Sequence, residues 1–245
     1  MKNTIQYPDY DRCILSVSAS LLSKFGLKSN YPTLKELDKY LEKNYKNIIF
    51  LIIDCLGSEI LEKNLSQNKK TFIVTANPET FMMSEKDEEM RKLLLDNDTF
   101  LVPDGIGIVK AARMINYDVK ERITGIDIAN ELLKLGNKQK KSIYLFGAKQ
   151  EVIDSMEKVL KESYPNLNLV GMSNGYEKDK DKIFEKIVKT KPDIVLVALG
   201  IPLQEKLIYK HLDKFDKGIF VGVGGSFDVI SGHKKRAPKI FIKLN

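Results

Sequence analysis

From residue 71 onward, short apolar runs alternate with amphipathic stretches, and this alternation limits the folds open to the chain more than any other feature. The runs fall at 71–76, 99–102, 142–146, 168–172, 194–199 and 219–223. Their near-continuous apolar character is that of strands buried on both faces. Helical periodicity marks 127–135, 150–163, 179–189 and 202–215, and residues 106–115 read as a buried, almost wholly apolar helix. Pro78 behind Asn77 fits the first turn of a further helix, expected to run on through Phe81, Met82, Met90, Leu93 and Leu94. Strands and helices joined by short connections predict an α/β, Rossmann-like fold, a mostly parallel sheet with helices on both faces. Ligands of such sheets bind beyond the carboxyl ends of the strands. That rule places Thr75, Asn77, Asp104, Gly147, Gly200 and Gly224 along one rim.

Charge narrows the ligand. The chain of 245 residues has a formal net charge of +7, and residues 206–245 hold nine Lys/Arg against three Asp. A basic C-terminal portion suits a nucleotide diphosphate or an anionic membrane surface. No helix-turn-helix, zinc or RNA-binding signature supports nucleic acid as the partner. No apolar run is long enough to span a bilayer, and the first residues, MKNTIQYPDYDRC, lack a signal-peptide core, so a cytoplasmic protein is expected. Cys13 and Cys55 give neither a disulfide framework nor a metal spacing.

Residues 220–238, FVGVGGSFDVISGHKKRAP, pass from a strand through Gly224, Gly225 and Ser226 into a short apolar segment and then a basic cluster containing Lys235 and Arg236. Glycines let backbone approach a ligand, and the N–H groups of a helix start favour an anion. A plain strand-to-helix turn followed by a solvated loop would look the same. Pro-Asp-Gly at 103–105 is turn chemistry, yet it also holds Asp104 rigidly at a strand end, where a carboxylate suits general-base work. Asn77 could cap its helix, bind a ligand, or both.

Together, the 220–238 stretch, VPDG at 102–105 and TANPE at 75–79 resemble the WecG/TagA/CpsF family of bacterial glycosyltransferases, with the likeness running from about residue 71 to about 244. The resemblance implies transfer of an N-acetylmannosamine-type sugar from UDP to an undecaprenyl-diphosphate-linked sugar, in wall teichoic acid, capsule or related polymer synthesis. It implies an inverting displacement with Asp104 as the base and Thr75 and Asn77 beside it. ERITGID at 121–127 is similar to the family's ERVAGxD segment, so Arg122 could face a phosphate or only a neighbouring carboxylate. Gly175-Tyr176 matches an HGYF-like loop, where Tyr176 stacks on a base or merely packs. Gln204, in GIPLQEK, is expected to stand free at its helix start and read the uracil or the sugar. The absence of a DxD-like carboxylate pair at a strand end predicts metal-independent transfer, with N–H groups and basic side chains facing the departing UDP. No cofactor beyond the donor substrate is expected; homo-oligomerisation and peripheral attachment to the inner face of the cell membrane are. Family members continue past the point matching KIFIKLN into an arginine-rich appendage, so weak turnover, or an inactive nucleotide-binding remnant, is the expectation for this chain.

Residues 1–66 behave differently and suggest a separate segment ahead of a 67–245 transferase domain. Helical spacing precedes an apolar run at 48–53, then Asp54 and a helix, SEILEKNL. Residues 31–57 resemble the opening of alkaline-phosphatase-superfamily phosphodiesterases or nucleotide pyrophosphatases, where the residue matching Asp54 holds a metal. A two-metal site needs many more ligands, and the chain has two histidines, His211 and His233, so a helix cap at Asp54 is the stronger expectation and a metal phosphodiesterase the weaker.

Overall fold

The computed structural model describes residues 58–105 and 123–236, with scattered single positions such as Ile108, and all structural statements concern these. The chain divides into two units, residues 1–51 with 114–117 and residues 52–113 with 118–245; the fold is that of the second. The expected strand at 48–53, Asp54, Arg122 and, apart from the helical and buried Ile108, the helix at 106–115 lie outside the described residues.

Six strands form one sheet: β1 (Thr71–Ala76), β2 (Thr99–Pro103), β3 (Ser142–Gly147), β4 (Asn168–Ser173), β5 (Ile194–Ala198) and β6 (Ile219–Gly222). Every pairing is parallel, in the order β2-β1-β6-β5-β3-β4. The helices are α1 (Ser58–Ser66), α2 (Pro78–Lys86), α3 (Glu88–Leu95), α4 (Gly125–Lys138), α5 (Gln150–Ser163), α6 (Lys180–Thr190), α7 (Leu203–His211) and the short α8 (Ser226–Ile230). Three of the four interior strands, β1, β6 and β5, are buried at every position, which is why they read as unbroken apolar runs.

Successive side chains on each strand feed opposite cores. Ile73, Ile143, Leu145, Leu196, Ile219 and Val221 meet Leu61 and Leu65 of α1, Leu132 and Leu133 of α4 and Met156 of α5. α7 packs on the sheet beside α3 and α6. The first core takes in α1, which the sequence division at residue 66 set apart.

Of the element boundaries that differ from expectation, two bear on the helices around the site. The single helix predicted after Asn77 is two, because Asp87 has extended backbone and its side chain caps α3 by accepting from Met90 N. Its carboxylate also pairs with Lys206 of α7. α4 begins two residues before Asp127, since Thr124 and Asp127 form a capping box that fixes the start at Gly125.

Candidate active site

Register builds the rim. Thr75 and Ala76 of β1 pair with Val102 and Pro103 of β2, so Asn77 and Asp104 leave the sheet side by side. The Asp104 N–H donates to the Ala76 carbonyl at 2.9 Å, anchoring the Pro-Asp-Gly corner to β1. At the neighbouring strand ends, the Val223 N–H donates to Val197 O at 2.8 Å, holding the Gly224 turn against β5.

These ends enclose a pocket of about 380 Å³. Thr75, Asn77, Asp104, Gln204, Gly224, Gly225, Ser226, Lys235 and Arg236 all line it, so most of the residues singled out in the sequence converge on one cavity. Gly147, Gly200 and Tyr176 are not among its lining residues. Gly147, at φ +126°, instead serves strand packing: a Cβ there would fall 2.2 Å from the Ala198 carbonyl oxygen. Tyr176 is 72% exposed, and its N–H is held by Asn174 Oδ1.

Asn77 does cap α2: its Oδ1 accepts from Thr80 N at 2.8 Å and from Thr80 Oγ1 at 3.0 Å. The Asn77 backbone N–H donates to Thr80 Oγ1 at 3.3 Å, while its side-chain Nδ2 has no hydrogen bond to the described residues. The Thr75 hydroxyl also lacks such a partner, although the residue is buried and lines the pocket. A buried hydroxyl facing a cavity without a protein partner is a ready contact for a polar ligand.

Two expectations need correction. Gln204 does not stand free. It is 2% exposed, and its Oε1 accepts from the N–H groups of Gly200 (3.1 Å), Gly224 (3.1 Å) and Leu199 (3.4 Å). Its Nε2 donates to Glu205 Oε1 at 2.7 Å. Nor is the Gly224–Ser226 turn an open cradle of amides. Gly224 N–H belongs to Gln204, and Ser226 N–H donates to the Val223 carbonyl at 3.1 Å.

Sequence reasoning missed the start of α4. Thr124, Gly125 and Ile126 line the pocket opposite the β6–α8 turn. The capping box engages the amides of Thr124 and Asp127, leaving those of Gly125 and Ile126 without partners among the described residues. A Cβ at Gly125 would stand 3.4 Å from Val223 Cα, so glycine lets the helix start close against that turn. The pattern Thr-x-x-Asp ahead of an apolar run was the available signal.

The charge at the lip is partly engaged. Arg236 Nη2 donates to Asp127 Oδ1 at 2.7 Å. Burial opposes ionisation of Asp127, but the Thr124 hydroxyl and the Arg236 guanidinium outweigh it and hold the carboxyl below its ordinary value. Lys235 makes no ion pair with the described residues and lines the pocket. His211 stays structural: it is buried, stacks on Phe184 with centroids 5.0 Å apart, and meets Asp181 at 2.7 Å. No group of three or more His, Cys, Asp or Glu suited to a metal occurs among the described residues.

Residues 47–245 match the model of the glycosyl transferase WecG/TagA/CpsF family. The chain belongs to this family. As a WecG/TagA/CpsF protein it is a glycosyltransferase, and the match takes in residues 47–66, which the sequence division had placed in a separate segment. Among its relatives is the N-acetylglucosaminyldiphosphoundecaprenol N-acetyl-beta-D-mannosaminyltransferase of Bacillus subtilis (strain 168), 42% identical over 188 residues, 76% of this chain and 73% of the relative. The Bacillus spizizenii protein of the same name is 40% identical over 74% of this chain and 70% of its own length. That of Staphylococcus aureus (strain NCTC 8325) is 35% identical over 71% and 68%.

Proposed function

We propose that this glycosyltransferase moves N-acetylmannosamine from a UDP-linked donor to an N-acetylglucosamine carried on undecaprenyl diphosphate, with Asp104 as the general base. The names of the relatives support the sugar and the acceptor. The observation that carries the reading is that Asp104 shares one pocket with Thr75, Asn77 and the basic Lys235.

In the reaction the Asp104 carboxylate takes the proton of the acceptor hydroxyl as its oxygen attacks the anomeric carbon of the donor. The bond from that carbon to the β-phosphate oxygen breaks, and UDP leaves with the electron pair, inverting the centre. Thr75 Oγ1 and Asn77 Nδ2 face the sugar or the acceptor. The growing charge on UDP meets the Gly125 and Ile126 amides at the start of a 14-residue helix, with Lys235 across the pocket. Transfer proceeds without a bound metal, so a chelator leaves the rate unchanged.

No helix among the described residues is long and apolar enough to cross a membrane. The proposed lipid-linked acceptor and the positive net charge support peripheral contact with the inner face of the membrane.

Asp104→Asn tests the assignment. The variant keeps the shape of the corner but accepts no proton. Turnover of UDP-N-acetylmannosamine with a lipid-linked acceptor is expected to fall by about a hundredfold or more, while calorimetry gives UDP affinity close to that of the wild type. Near-wild-type turnover by this variant would overturn the role of Asp104.

A further inference from the structure

Glu205 is the most deeply buried carboxyl among the described residues, at 1% exposure, and no step of the reaction uses it. Its Oε1 accepts the Gln204 side-chain amide at 2.7 Å, and its Oε2 has no partner. Salt bridges among the described residues do not include it. A carboxyl kept in such a place without a cation calls for a reason.

The reason lies in the direction of its neighbour's amide. Gln204 Oε1 gathers N–H groups from two different turns, Gly200 after β5 and Gly224 after β6. That works only if the oxygen, and not the nitrogen, faces them. Flipping the amide would set NH2 against the N–H donors of Leu199, Gly200 and Gly224. Glu205 offers an acceptor on the other side, where only the NH2 can satisfy it, and so selects the orientation. Gly222 completes the arrangement. A Cβ there would stand 2.5 Å from Gln204 Nε2 and 2.8 Å from Glu205 Oε1, so only glycine leaves room for the pair. Burial pushes the Glu205 carboxyl up from its ordinary value, against the opposing effect of the Gln204 hydrogen bond.

We propose that Glu205 is a positioning residue for the transfer pocket: it fixes the Gln204 amide, which clamps the β5–α7 turn to the β6–α8 turn and sets the wall against which the donor lies. This rests on the reading of the pocket as the donor site. Asp104 is anchored separately, to β1, so the clamp governs donor binding more than the chemical step.

The experiment compares Glu205→Gln and Glu205→Leu with the wild type, by donor kinetics and by amide hydrogen exchange. Glutamine keeps an acceptor oxygen on a side chain of the same shape; leucine fills the volume without one. Expected for E205L is a rise of about tenfold or more in donor KM, with kcat and acceptor KM within about threefold. Expected for E205Q is a donor KM within about threefold of the wild type. The amides of Gly200 and Gly224 should exchange slowly in the wild type and E205Q, and at least about tenfold faster in E205L.

Gly222→Ala is the second route should E205L not fold. Its methyl pushes the pair apart and is expected to reproduce both the donor KM rise and the faster exchange. Equal donor KM and equal exchange in E205L, or in G222A, and the wild type would overturn the proposal. So would an E205Q as impaired as E205L. Should the wild type turn over no UDP-sugar, the donor-site reading fails, while the exchange arm still decides whether Glu205 fixes the clamp.

Discussion

At the scale of single residues, Asp104, Lys235 and Glu205 separate three kinds of work. Lys235 is exposed at the pocket lip, so its attraction for a diphosphate is screened by salt. Lys235→Ala is expected to raise donor KM by about three- to tenfold at low salt, and by less at high salt. Arg236→Ala should cost less donor affinity, since Arg236 already holds Asp127. Steady-state kinetics at two ionic strengths distinguishes the pair. Glu205 adds a pH signature. Its folded pKa is raised above the unfolded value, so stability is full below the unfolded pKa and is lost as pH rises towards the folded one. Its side-chain hydrogen-bond partner, Gln204, does not titrate, and glutamine at 205 lacks this dependence. Thermal unfolding of E205Q should therefore gain on the wild type as pH climbs from about 4.3, the ordinary glutamate value. Parallel pH profiles of the two would contradict that.

Among the elements, α4 and α7 carry the site, and they were legible to different degrees. The box of Thr124 and Asp127 stood in the sequence as Thr-x-x-Asp, yet the helix was placed two residues late because its first turn, Gly125-Ile126, has no periodic apolar face. Thr124→Ala should cost about 1 kcal/mol of stability, read by denaturant unfolding, and should weaken UDP binding through disorder at the helix start. For α7 the apolar spacing was visible, but which polar residues turn inward was not. Gln204 and Glu205 are both buried while the apolar Leu203 is 43% exposed. Polar contacts bind α7 to the α3 side: Tyr209 Oη donates to Asp96 at 2.6 Å, which pushes the tyrosine up to about 12, and Lys206 pairs with Asp87 and Glu89. Tyr209→Phe is expected to cost about 1 kcal/mol.

For the molecule as a whole, the parallel sheet was readable because burial on both faces leaves long apolar runs, and the six strands expected from residue 71 onward are present. The rim was readable too, since Thr75, Asn77 and Asp104 each end or follow a strand. What the sequence could not supply was register and partnership. Only the pairing of β1 with β2 shows that Asn77 and Asp104 are neighbours. Only coordinates show that Gly147 is held by Ala198 and that the Gly224 amide is already taken by Gln204. The proposed transfer requires a nucleotide bound at the carboxyl end of the sheet, between the start of α4 and the β6–α8 turn. Titrating isotope-labelled protein with UDP, while following backbone amide shifts, tests it most directly. The largest shifts are predicted at Gly125, Ile126 and Gly225. Shifts confined to the opposite end of the sheet, around Lys69, Asp193 and Gly218, would contradict it.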